Sequence, residues 1–174
     1  ATPCVLDREE IMNKLTEIKK TASGDLPNIY VLHGDLRDEE MNELYNHPKV
    51  KAHVSFTHGE GFGRPLLEAS FSEKPVIAPN WGGQVDFLSS SNAILLPGSL
   101  NDVKPESLMK GMHVKGTQWF TVNYNYASKI LKDVFDNYSK HLVKGKKLAI
   151  VNRTKFSLDG MTKKFEEILD KHLP

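Results

Sequence analysis

The sequence predicts an α/β domain of the doubly wound kind, a parallel sheet with helices on both faces. Three observations predict it. Short apolar runs of strand length alternate with segments whose apolar residues recur at helical spacing. The runs are apolar throughout, as strands buried on both faces are. The connections are short, and glycine stands where several runs end.

In chain order, residues 7–20 read as a helix with Ile11, Leu15 and Ile18 on one face. Asp7 caps it, with Glu10 three residues on, and Ser23-Gly24-Asp25 closes it. "NIYVLHG" reads as a buried strand ending at Gly34, and residues 38–46 as a helix presenting Met41, Leu44 and Tyr45. "KAHVSFTH" is the next strand and runs into a glycine-rich loop. A helix over 65–72, the strand "PVIA" at 75–78, the turn "NWGG", a short helix "QVDFL" and the strand "NAILLP" follow. Beyond Pro105 the chain turns helical. Residues 123–145 read as one long amphipathic helix with a stripe of Ala127, Ile130, Leu131, Val134 and Tyr138. A last helix starts at an N-cap Ser157 and turns Met161, Phe165, Ile168 and Leu169 inward. With no internal repeat or linker, one domain over 1–174 is expected, of which 106–174 is a mostly helical tail.

Composition narrows the function classes. At 174 residues and 39% hydrophobic, the chain can bury a core. A formal net charge of +1 gives no electrostatic case for nucleic acid or an anionic membrane, and Lys144–Lys147 reads as a solvated face. The single cysteine, Cys4, excludes an internal disulfide and fits a reducing, cytoplasmic setting. No apolar run approaches the roughly 18 residues of a membrane span. The opening "ATPCVLDREE" lacks an initiating methionine and enters a helix with no strand before it. A truncated chain is expected, with processing or a tag as alternatives.

The chemistry concentrates in "THGEGFGRPLLEA", Thr57–Ala69. In an open parallel sheet, ligands gather at the carboxyl ends of strands, where loops lead into helices. Gly59, Gly61 and Gly63 let a ligand approach the backbone closely, and Pro65 suits a helix start. The N–H groups around Gly63 to Leu67 suit a phosphate. Glu68 lies within the helix, where its charge would repel phosphate, and makes better sense as an acceptor for ribose hydroxyls. Glu60, in the loop itself, suits sugar hydroxyls or positive charge developing at an anomeric carbon. A plain strand-to-helix turn, its acid stabilised by the helix dipole, fits the same spacing.

The run "GEGFGRPLLEA…KPVIA…G…DFL" closely resembles the nucleotide-sugar-binding half of retaining GT-B glycosyltransferases of the group 1 (family 4) type. Glu60 and Glu68, seven residues between them, match that family's paired glutamates, and "VLHGDLRDEEMNELYN" resembles its strand–glycine–helix segment. The resemblance covers about residues 28–98. It implies a Rossmann-like domain, one half of a GT-B fold, that binds a nucleotide-diphosphate sugar for transfer with retention. No cofactor or metal is implied. Glu60 would be catalytic, contacting the donor sugar with the amides of Gly61, Phe62 and Gly63. Leu66 and Leu67 amides would meet the diphosphate, Glu68 the ribose, and Gly34, Asp35 and Leu36 the base, with Arg37 beside them. The acceptor (glycan, lipid or small molecule) is not implied. The family's acceptor domain and the first strand of this domain, with its basic pair, have no counterpart here. Any peripheral membrane association would come through that missing domain, and the chain alone is expected to be inactive. Glu73 stands where relatives often carry glycine, and Arg64 where many carry an aliphatic residue.

Other residues leave alternatives open. His58 either lines the donor pocket or is a satisfied structural histidine. Trp81 packs on a sugar, on a neighbouring domain or within its loop, while Trp119 and Phe120 read as core anchors. His33, His53 and His58 lack metal-ligand spacing, and no serine stands in a hydrolase context. The alternative from another class is a non-catalytic nucleotide- or sugar-binding module.

Overall fold

The computed structural model describes residues 5–108, 111, 114 and 116–173, so Cys4 lies outside the described residues. The chain forms two compact units, one up to Glu43 and one from Leu44 onward.

In the first unit, helix α1 (Val5–Thr21) starts two residues before the expected cap, so Asp7 stands within its first turn. Its apolar stripe is uncovered: Ile11 and Ile18 are exposed and only Leu15 is half-buried. The expected strand at 28–34 is not formed. Tyr30 is 84% and Leu32 70% exposed. An apolar run becomes a buried strand only where neighbours take its backbone groups and cover both faces. Helix α2 (Asp38–Asn46) appears where expected, and the unit boundary falls within it. Glu40 accepts from the backbone N–H of Arg37 at 2.8 Å, half of a capping box.

The second unit carries the sheet. Strands β1 (His53–Val54), β2 (Val76–Pro79) and β3 (Ile94–Leu96) pair in parallel in that spatial order. Val54 lies opposite Ile77, and Ile77 opposite Ile94. Every residue of β2 is buried, and its side chains alternate between two cores. Val76 and Ala78 join Leu66, Phe87, Leu88 and Leu148 on one face. Ile77 joins Leu96, Phe120, Val122, Ala127 and Val134 on the other. Helices α3 (Arg64–Ser70) and α5 (Tyr138–Lys155) supply the first core, and helix α4 (Tyr124–Asp136) the second. The α/β class with helices on both faces of a parallel sheet therefore holds.

Three features depart from expectation. Strands β4 (Gly98–Asp102) and β5 (Gln118–Val122) form an antiparallel pair that the sequence reading missed. The long helix is two, α4 and α5, broken at Asn137. Asp133 fixes the elbow by accepting from Asn137 Nδ2 at 2.8 Å and His141 Nε2 at 2.7 Å. These bonds, His141 first, hold the Asp133 carboxyl below its ordinary pKa. Helix α6 (Leu158–His172) has the expected cap, Ser157 Oγ accepting from Gly160 N at 3.0 Å. Its expected inward face is not buried: Met161, Phe165 and Ile168 are exposed and Leu169 half-buried, because no described element covers them. Among the described residues no helix is long and apolar enough to cross a membrane.

Candidate functional site

The carboxyl ends of the parallel strands carry the glutamate loop, as the topology requires. After β1 the chain runs through Ser55 and Thr57 into the glycines, and Gly63 takes the left-handed conformation (φ 85°) that starts α3. Both Leu66 N and Leu67 N donate to Gly63 O, at 2.9 and 3.1 Å. The two amides that the resemblance directs to a diphosphate thus already have an acceptor. Among the described residues the amides of Gly61, Phe62 and Gly63 have none. The donors available for a ligand therefore sit in the loop, before the helix.

A cavity of about 520 Å³ opens beside this loop, lined among others by Tyr45, His53, Ser55, Glu60, Pro65 and Leu66. Glu60 is half-buried in that lining. Glu68, one turn into α3, is also half-buried and accepts from Arg64 Nε at 2.6 Å. Arg64, whose role the sequence left open, is thus held along the helix by Glu68. Burial raises the Tyr45 phenol pKa, and the nearby Glu68 charge adds to that shift. Tyr45 therefore links the two glutamates, close to Glu68 and lining the cavity with Glu60. Phe62 points away from this chemistry, its ring 5.2 Å from Phe87 and 6.1 Å from Phe156.

His58 and His53 are accounted for by structural contacts, while His33 is exposed. His58 is tied twice to β5, Phe120 N donating to its carbonyl at 3.0 Å and its Nδ1 meeting Phe120 O at 2.7 Å. A carbonyl only accepts, so Nδ1 carries the proton in the neutral ring. That ring stacks on Trp119 with centroids 4.2 Å apart. His53 Nε2 meets Ser72 Oγ at 2.9 Å, and desolvation, then Lys74, pushes its pKa down to about 4. Lys74 itself donates to the carbonyls of Tyr45 and His47, at 2.5 and 2.7 Å, closing the C-terminal end of α2 with a positive charge. Among the described residues no group of three His, Cys, Asp or Glu side chains comes together as a metal site.

What the sequence reading missed is the platform beneath the loop. Gly83 N donates to Glu60 O at 2.8 Å, and a Cβ on Gly83 would stand 1.9 Å from Gly61 O. Two backbones meet there directly, which only glycine permits. Gln84, fully buried, donates through Nε2 to Pro79 O at 3.1 Å and to Trp81 O. The visible signal was the Gly82-Gly83 pair after a strand. Nothing in "GGQVDFL" announces the glutamine. Gly34, Asp35 and Leu36 belong to the first unit, where all three are exposed.

Similar architecture occurs in crystal structures of HepE from Anabaena. The complex with UDP and glucose aligns with a TM-score of 0.58 at 16% identity, over 94% of this chain and 36% of HepE. The complex with UDP-glucose gives 0.57 at 16% identity over the same shares, and the complex with UDP 0.51 at 18% over 74% and 29%. The likeness is one of fold. The chain spans about a third of the length of HepE. No family model and no curated protein matches the sequence.

Proposed function

We propose that this chain is the donor-binding half of a retaining GT-B glycosyltransferase of the group 1 (family 4) type. The observation that carries the reading is the Thr57–Ala69 loop: Glu60 lining a cavity, three loop amides without an acceptor among the described residues, and Glu68 within the helix beside it. The fold shared with HepE, crystallised with UDP and with UDP-glucose, supports it.

In this reading Glu60 accepts hydrogen bonds from hydroxyls of the transferred sugar and steadies charge at its anomeric carbon. The amides of Gly61, Phe62 and Gly63 hold the sugar and the adjoining phosphate oxygens. Glu68 accepts from the ribose hydroxyls, with Arg64 paired to its carboxylate. Catalysis rests on donor positioning and stabilisation of the leaving diphosphate, with no metal.

Titration calorimetry with uridine, guanosine and adenosine diphosphate sugars tests the reading. One base class should give a binding heat, and Glu68→Ala should weaken it by about tenfold or more, the loss of a charge-assisted hydrogen bond. Silence with all three classes would refute the donor-site assignment, as would a Glu68→Ala chain that binds unchanged.

A further inference from the structure

We propose that Trp81 is a stacking platform for a pyranose ring beside the glutamate loop, an inference that rests on the donor-site reading above. Trp81 lies two residues beyond Pro79, the last residue of β2, at the end of the sheet where the glutamate loop stands. Its indole is stacked on the Phe120 ring, centroids 5.7 Å apart and planes within 5°. Phe120 is itself buried, so one indole face is fixed against the core, yet 44% of Trp81 stays exposed. A large aromatic surface left in water beside a polar site is where a partially apolar ligand gains most.

The ring is also held in place. Gln84 binds the carbonyls on both sides of Asn80, and Gly82 takes a φ of 91°. The next amide, of Gly83, is bonded to Glu60 O at 2.8 Å. Little conformational freedom remains to be lost when a ligand covers the indole. The same contact sets the flat apolar ring on the segment that carries a carboxylate. That pairing matches a pyranose, whose C–H face is apolar and whose rim carries hydroxyl donors. A gluco-configured ring fits best, because its equatorial hydroxyls leave the faces to C–H groups. Such a ring has two sources, the sugar of the nucleotide donor or a free acceptor glycan.

The experiment compares wild type, Trp81→Ala and Trp81→Phe for binding of UDP, UDP-glucose and cellobiose. Cellobiose is followed by the emission of Trp81 in a Trp119→Phe background. If the ring holds the donor sugar, Trp81→Ala weakens UDP-glucose about five- to tenfold while UDP is unchanged, and Trp81→Phe, which keeps a flat ring on Phe120, falls between. If it holds an acceptor, cellobiose shifts the Trp81 emission and UDP-glucose affinity is unaltered. Equal losses for UDP and UDP-glucose would mean that the indole holds the base and would overturn the proposal. So would variants that bind like wild type together with no response to cellobiose. A wild-type chain that ignores UDP and UDP-glucose yet responds to cellobiose would sink the donor-site reading and leave the platform standing.

Discussion

Val76–Pro79 and Asn28–Gly34 look alike as sequence and differ entirely as structure. Each is a short run of apolar residues between turn-forming segments. The first is β2, buried along its whole length, with a parallel neighbour on either edge and a core on either face. The second forms no strand and leaves Tyr30 and Leu32 largely in water. Apolar character selects residues that profit from burial, but it does not supply the hydrogen-bonding edges and covering helices that make a central strand.

The largest expected effect tests this contrast directly. Ile77→Ala should lower unfolding stability by about 2–5 kcal/mol, the usual cost of removing most of a fully buried aliphatic side chain. Leu32→Ala should stay within about 0.5 kcal/mol, as an exposed position does. Denaturant midpoints of the two variants measure both. A loss at Leu32 comparable to that at Ile77 would show that the run at 28–34 is buried in solution and erase the difference.

What the sequence made legible follows the same division. The glycine loop, "PVIA" and the Ser157 cap were readable because local chemistry decides them: φ > 0 positions, a run too short for a helix, a hydroxyl aimed at a backbone N–H. The pair β4–β5 was not, because "GSLND" has no apolar alternation and its partner lies 15 residues further on. The break at Asn137 escaped as well, since the helical stripe continues through it while Asp133, Asn137 and His141 form the elbow. In the candidate site, spacing marked the strand-to-helix loop that carries Glu60 and Glu68, and the resemblance singled out the two glutamates. Gln84 was not legible, because no local pattern marks a buried amide side chain that ties the carbonyls of Pro79 and Trp81, and the His58–Trp119 stack was not, because it joins segments far apart in the chain.

The turn into β2 offers a sharper test of what holds the strand. Gly145, in the middle of α5, has no room for a side chain: a Cβ there would stand 2.5 Å from the carbonyl carbon of Lys74. Helix propensity alone favours Gly145→Ala by about 1 kcal/mol. Overpacking against backbone, which cannot swing aside, opposes it by about 1–3 kcal/mol or more. The net change should be destabilising, measured again by the denaturant midpoint. A stabilised variant would mean that α5 does not press on this turn.

The smallest effect comes two residues after α3 closes on Phe71, at Glu73, the one non-glycine among the described residues with a positive φ, 64°. Glycine would take this conformation without the cost of a side chain. A Cβ in left-handed geometry costs roughly 1 kcal/mol relative to glycine. Glu73 recovers part of this through Arg153, whose Nη1 lies 3.0 Å from its carboxylate. Both side chains are about half exposed, so that pair contributes no more than about 1 kcal/mol. Glu73→Gly removes the strain and the pair together and should leave the protein slightly more stable, by up to about 0.5 kcal/mol. Glu73→Gln keeps the strain and loses only the charge, so it should be slightly less stable than wild type. If glycine and glutamine lower the midpoint alike, the backbone at 73 stores no strain, and the ion pair alone explains the residue.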